Sequence, residues 1–90
     1  MSTLFREMMI WKRVNEKSAV RYCCLLDLTN NTYAVQNADF FNLPIAEGAV
    51  TSSLQQFAEL FMEISPTERC TWFDSVEEAI SHHDQDFGNT

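Results

Sequence analysis

Glycine and proline are scarce in this sequence, two of each in 90 residues. So little glycine leaves no loop able to cradle a phosphate on backbone N–H groups, and nothing in the composition resembles a linker or a disordered tract. Cysteine is also sparse. Cys23, Cys24 and Cys70 are odd in number with two adjacent, which does not make a disulfide framework, so reduced thiols acting as small apolar side chains are expected. No apolar run approaches the ~18 residues of a membrane span. The opening Met1-Ser2-Thr3-Leu4-Phe5-Arg6-Glu7 has no basic start, long apolar centre or small-residue cleavage site, so a cytoplasmic protein is expected.

Positive charge is short as well. Six Lys and Arg stand against 13 Asp and Glu, for a formal net charge of −7. The signs are segregated: residues 1–21 hold five basic side chains against two acidic, and residues 22–90 hold Arg69 alone against eleven acids. An acidic body repels free nucleic acid and favours encounter with basic protein surfaces.

What is present is apolar and patterned, with 46% hydrophobic residues. Residues 4–14 and 19–29 are apolar-rich and flank Asn15-Glu16-Lys17-Ser18, which predicts a hairpin with a four-residue loop. Asn30-Asn31 suits a type I′ turn and predicts a second hairpin to a third strand over 32–38. These loops pair Trp11 with Tyr22, Met9 with Cys24, Phe5 with Leu28 and Leu26 with Val35. Alternation then gathers Phe5, Met9, Trp11, Val20, Tyr22, Cys24, Leu26, Leu28, Tyr33 and Val35 on one face, the expected core. The other face carries Arg6 across from Asp27, Met8 from Leu25, Ile10 from Cys23 and Lys12 from Arg21, with Ala34 and Ala38 alongside. An island of Met8, Ile10, Cys23 and Leu25 between charged ends predicts a partner surface or a homodimer seam, with a covering helix as the structural alternative.

Residues 42–52 read as a connector with Leu43 and Ile45 tucked down. Ser53 and Gln56 form a capping box for a helix running to about Ile64, with Leu54, Phe57, Ala58 and Phe61 as its apolar stripe. Ser65-Pro66-Thr67-Glu68 predicts a further turn of helix and Cys70–Phe73 a short strand. Asp74 or Ser75 caps a second helix with a Val76, Ala79, Ile80, His83, Phe87 stripe, followed by a frayed tail over 84–90. The expected fold is a single α+β domain over 1–90, in β-β-β-α-β-α order, its small antiparallel sheet carrying two helices mainly on one face.

Catalytic constellations are weak. Cys23 and Cys24 point to opposite faces of one strand, and His82 and His83 diverge around a helix, so no metal site is expected. Cys70 is followed by Asp74, Glu77 and Glu78, which oppose a thiolate. No cofactor and no enzymatic activity are expected.

The string Phe73-Asp74-Ser75-Val76-Glu77-Glu78-Ala79-Ile80 resembles the strand-to-helix junction of many small α+β proteins, including HicB-like antitoxins, and implies a capped helix there. Size and acidity resemble those of toxin-immunity and anti-CRISPR proteins. The expected function is therefore a non-catalytic, stoichiometric inhibitor or regulator that binds a basic protein or ribonucleoprotein. Met8, Ile10, Cys23 and Leu25 would supply apolar contact, and Glu59, Glu63, Glu77 and Glu78 would steer the encounter. The alternative is nucleic-acid contact through Arg6, Lys12, Lys17 and Arg21, with Trp11 and Tyr22 turned away from that patch.

Overall fold

Turn chemistry sets the sheet. In the computed structural model, which describes residues 3–87 with side chains through Gln85, β1 (Phe5–Asn15) and β2 (Ser18–Asp27) are joined by Glu16-Lys17 alone. The Asn15 Oδ1 accepts the Lys17 N–H at 2.9 Å and tightens that turn. Asn15 therefore pairs with Ser18, and Val14 is left as a bulge before Arg13 pairs with Ala19. The second hairpin leads to β3 (Thr32–Asn42), and Asp27 pairs with Thr32 across the four residues Leu28–Asn31. Only Asn31 takes a positive φ, 55°, so the two-residue turn expected at Asn30-Asn31 is replaced by a loop built on Asp27. The Asp27 carboxylate accepts the N–H groups of Thr29 and Asn30 and the Asn30 side-chain amide, at 2.9, 3.2 and 3.0 Å.

The Val14 bulge moves β1 by one residue relative to β2. Trp11 faces Arg21, Met9 faces Cys23 and Glu7 faces Leu25. A one-residue slip exchanges faces. Phe5, Met9 and Trp11 thus lie with Arg21, Cys23 and Leu25, while Met8, Ile10 and Lys12 join Tyr22, Cys24 and Leu26. A second bulge, at Gln36 opposite Cys23/Cys24, splits β3: Ala34 opposes Leu25, whereas Ala38 opposes Tyr22 on the other face.

The fold is α+β, an antiparallel sheet of order β1-β2-β3 followed by helices. The helices α1 (Ala49–Glu63), α2 (Pro66–Arg69) and α3 (Val76–Phe87) are not gathered on one face. Phe57 of α1 packs with Cys23 and Leu25. On the reverse side α3 meets Tyr22, whose ring lies edge-on to His83 at 5.9 Å and whose hydroxyl donates to Asp84 at 2.8 Å. Adjacent β2 residues thus serve opposite layers, and Tyr22, Cys23, Cys24 and Leu25 are all buried. The expected fourth strand is reduced to one bridge, in which Phe73 exchanges two backbone hydrogen bonds with Tyr33. There the chain passes the sheet edge: Trp72 stacks on Phe5 in the α1 layer, and Phe73 meets His82 in the α3 layer.

Helix boundaries follow local chemistry. Gly48, at φ 83°, ends the connector and lets α1 begin at Ala49, four residues before Ser53. The buried α1 residues are Ser53 and Phe57, with Ala49, Leu60 and Phe61 half-buried, so the stripe sits one position from that expected and Leu54 and Ala58 are exposed. At α3 the Ser75 Oγ accepts the Glu78 N–H at 3.1 Å and donates to its carboxylate at 3.2 Å, a reciprocal cap. The chain stays helical through Phe87, past Asp84 where fraying was expected; residues 88–90 and the side chains of Asp86 and Phe87 lie outside the described residues.

Burial alone would push the Asp27 carboxyl up, but hydrogen bonds from Asn30 and Thr29 outweigh it and hold the group below its ordinary value of 3.8. A carboxyl depressed in the folded state contributes stability that is complete above the unfolded value and is lost as pH falls through the lower folded one. Asp27→Ala is therefore expected to lower the urea midpoint near neutrality, and its gap from the parent should close as the buffer is acidified below the ordinary carboxylate range.

Candidate binding surface

Arg21 is the most unusual side chain in the sheet. It is 4% exposed at the middle of the central strand, where an unpaired charge is costly. Cross-strand neighbours resolve this. Trp11 opposes it on β1 and Asp39 on β3, with Phe41 two residues further along β3. The guanidinium carbon lies 5.5 Å from the Trp11 ring centroid and 5.3 Å from that of Phe41, and Nη2 is 3.5 Å from the Asp39 carboxylate. Ser53 completes the knot from α1: its hydroxyl accepts from Arg21 Nη2 at 2.5 Å and donates to Asp39. Ser53, expected as a helix cap, instead fastens α1 to the sheet.

The outer surface of this knot is apolar. Trp11 is 55% exposed, and Leu43 and Ile45, expected to tuck down, are 59% and 46% exposed. Trp11, Phe41, Leu43 and Ile45 line a groove of about 210 Å³, rimmed by Arg13 and Lys17 of the first hairpin. Phe41 and Ile45 also line a neighbouring groove of about 300 Å³ with Phe40, Pro44, Ala46 and Ala49. Both are shallow and open to solvent rather than enclosed. A larger cleft of about 450 Å³ lies at the β3 bulge, beside Arg69, Cys70 and α3. Its histidines are already engaged within the chain, His82 against the Phe73 ring and His83 against the Tyr22 ring.

The island expected from the sequence does not form. Cys23 and Leu25 are buried beneath α1, while Met8 and Ile10 are half-buried on the opposite face; the one-residue change of register separates them. Glu59 and Glu63 are exposed on α1, and Glu77 and Glu78 on α3, so the acids flank the sheet on both sides. Of the basic set, Arg6 and Lys17 are exposed, Lys12 reaches Asp84 at 3.3 Å, and Arg21 is sealed in its knot, out of reach of a phosphate. The residues that sequence reading passed over are Phe41, Leu43 and Ile45. Their signal is three large apolar side chains in and beside a Pro- and Gly-bearing connector with no helical or strand periodicity of its own.

No group of three or more His, Cys, Asp or Glu side chains is placed to hold a metal ion among the described residues. The buried thiols are chemically quiet. Burial, and then Asp39 nearby, pushes Cys23 up to about 11, and burial pushes Cys24 up to about 12. Both are protonated at neutral pH, and the thiolate is the nucleophile. With an aromatic disulfide reagent, Cys23 and Cys24 are expected to react only on unfolding, after the half-buried Cys70; rapid release of three equivalents from native protein would contradict this.

Removing one partner of a buried pair leaves the other uncompensated and typically costs about 3–5 kcal/mol. Asp39→Ala is expected to lose stability on that order in urea unfolding, and adding Arg21→Met to it should recover part of the loss. Strict additivity of the two changes would show that they do not act as a pair. No family model, no curated protein and no solved structure matches the chain.

Proposed function

We propose that this chain is a non-catalytic, stoichiometric protein-binding module, a regulator or inhibitor that seats an apolar anchor of its partner in the adjoining grooves around Ile45. The observation that carries this reading is the exposure of Trp11, Leu43 and Ile45 over a floor held rigid by the Arg21–Asp39–Ser53 knot, with exposed Phe40 lining the adjoining groove. Preorganised apolar anchors ringed by charge are the usual source of binding energy at interfaces. The exposed Glu59, Glu63, Glu77 and Glu78, with the net charge of −7, favour a basic protein or ribonucleoprotein and speed the encounter. An immunity- or anti-CRISPR-type antagonist is the form of this reading that size and acidity favour.

One observation favours nucleic-acid contact as the second reading. The observed register turns Trp11 outward beside Arg13 and Lys17, aromatic and cationic groups sharing one groove. In that reading Arg13 takes the place expected for Arg21.

The two readings separate in one set of variants. For a captured partner, Leu43→Ser with Ile45→Ser is expected to weaken binding roughly tenfold or more, about 1.4 kcal/mol, with circular dichroism unchanged. Glu59→Lys with Glu63→Lys should slow association more than it speeds dissociation. Undiminished capture by the Leu43/Ile45 variant would remove the groove proposal. Tight binding of single-stranded RNA, with a steep salt dependence abolished by Arg13→Gln and Lys17→Gln, would establish the second reading instead.

A further inference from the structure

β1 lies at one edge of the sheet for its whole length, Phe5–Asn15, and among the described residues no strand pairs with its outer side. The opposite edge is met at Tyr33 by the Phe73 bridge. We propose that the β1 edge pairs with the β1 edge of a second copy of this chain, antiparallel about a two-fold axis at Ile10, making one continuous sheet across both copies. The pairing is made by main-chain groups that the grooves do not involve, although the flanking Trp11 and Arg13 side chains also line the first groove.

Three observations lead to that register. The first is main-chain direction. Leu28 donates its N–H to the Leu4 carbonyl at 3.1 Å, so Leu4 and the even-numbered residues of β1 turn their backbone groups toward β2. The N–H and C=O groups of Glu7, Met9, Trp11 and Arg13 therefore point out from the edge. The second is symmetry. A two-fold axis perpendicular to the sheet keeps each face on its own side, so outward-bonding residues must oppose one another and half of all registers are forbidden.

The third is side-chain complementarity. Pairing centred on Met9 sets Arg6 against Lys12 twice, like against like. Centred on Trp11 it sets Met9 against Arg13 and Ile10 against Lys12, and centred on Met8 it sets Arg6 against Ile10 and Glu7 against Met9. Centred on Ile10, Met8 meets Lys12 and Arg6 meets Val14, but Glu7 meets Arg13 of the second copy at both symmetry-related positions, an opposite-charge pair that none of the other three registers makes, while Met9 meets Trp11 and Ile10 meets itself. Glu7 and Arg13 are exposed, as is Trp11, and Met9 is half-buried. Charges on an edge strand ordinarily discourage pairing. Here they are self-complementary in this one of the four registers, which makes them a register code as well as a barrier to other partners.

Sedimentation equilibrium of the full chain from micromolar to millimolar concentration tests the dimer, with mass expected to rise from 10.4 kDa toward twice that value. Glu7→Arg and Arg13→Glu are each expected to weaken association roughly tenfold or more, and the double variant to restore it. Ile10→Cys places two thiols across the axis in a non-hydrogen-bonded pair, with Cα atoms ~4.5 Å apart and within disulfide range, so it should cross-link on mild oxidation. Met8→Cys, which would face Lys12, should not. A strict monomer at millimolar concentration, a dimer indifferent to the single charge reversals, failure of the double variant to restore association, or equal cross-linking through Met8→Cys would each overturn the proposal.

Discussion

A cation buried in the central strand organises one end of this molecule. Arg21 cannot reach water, so its charge must be met from within, and the two flanking strands and α1 each contribute to meeting it. β1 gives the Trp11 ring, β3 gives Asp39 and the Phe41 ring, and α1 gives the Ser53 hydroxyl. Cation–π contacts of this kind are worth about 0.5–2 kcal/mol each, less than the cost of stranding the charge. The knot therefore acts less as a net source of stability than as a constraint. Any arrangement that displaces β1, β3 or α1 leaves a charge without its partners. Its consequence is that Trp11 is held in place from below, beside the buried Phe41 ring, while its own outer surface stays open.

The layering follows from β2. Its residues from Arg21 to Leu25 are buried in succession, so both faces must be covered, and one amphipathic helix cannot do that for a strand. α1 covers one side with Phe57 and Phe61, and α3 covers the other with Ala79 and the Tyr22–Asp84–Lys12 contacts. The two attachments differ in kind. That of α1 is aromatic and aliphatic with a buried polar lock. That of α3 is more polar: burial would raise the Asp84 carboxyl, but the Tyr22 hydroxyl and then Lys12 hold it below its usual range. Lys12 is about half exposed, so its ion pair contributes little, and Tyr22 is the firmer anchor. The chain can serve both layers because Trp72 and Phe73 turn to opposite sides as the backbone passes the β3 edge.

The three strands, their antiparallel order and the capped helix at Ser75 were legible because each rests on local chemistry: apolar runs between turn residues, and a serine three positions before a glutamate. Register was not. Two bulges, at Val14 and Gln36, each add one residue to one strand, and nothing in those side chains announces the insertion. The β2 and β3 residues Tyr22, Cys24, Leu26, Tyr33 and Val35 were grouped as the structure groups them, since the second hairpin differs from expectation by an even shift. The first differs by an odd one, and all of β1 changes face. The apolar island was lost through that single step. Leu43 and Ile45 misled for another reason: large apolar side chains in a loop are ordinarily buried, and a sequence alone does not distinguish a tucked side chain from one displayed.

Charge segregation takes on a different meaning once positions are known. Of the five basic residues that crowd the first 21 positions, Arg21 is consumed by Asp39 and Lys12 by Asp84. The other three, Arg6, Arg13 and Lys17, are exposed along β1 and its turn, whereas Glu59, Glu63, Glu77 and Glu78 lie on the helices outside the sheet. The acids therefore set the long-range field while the cations act at short range, at the rim of an apolar groove and along an unpaired strand. A field falls off over ~8 Å in physiological salt and acts on molecules as they approach, whereas contact chemistry acts only on what already touches the surface. A second copy paired at the proposed register and a partner in the first groove would meet at the same Trp11 and Arg13 side chains, whereas the adjoining groove beside Phe40 and Pro44 stays clear of the β1 edge.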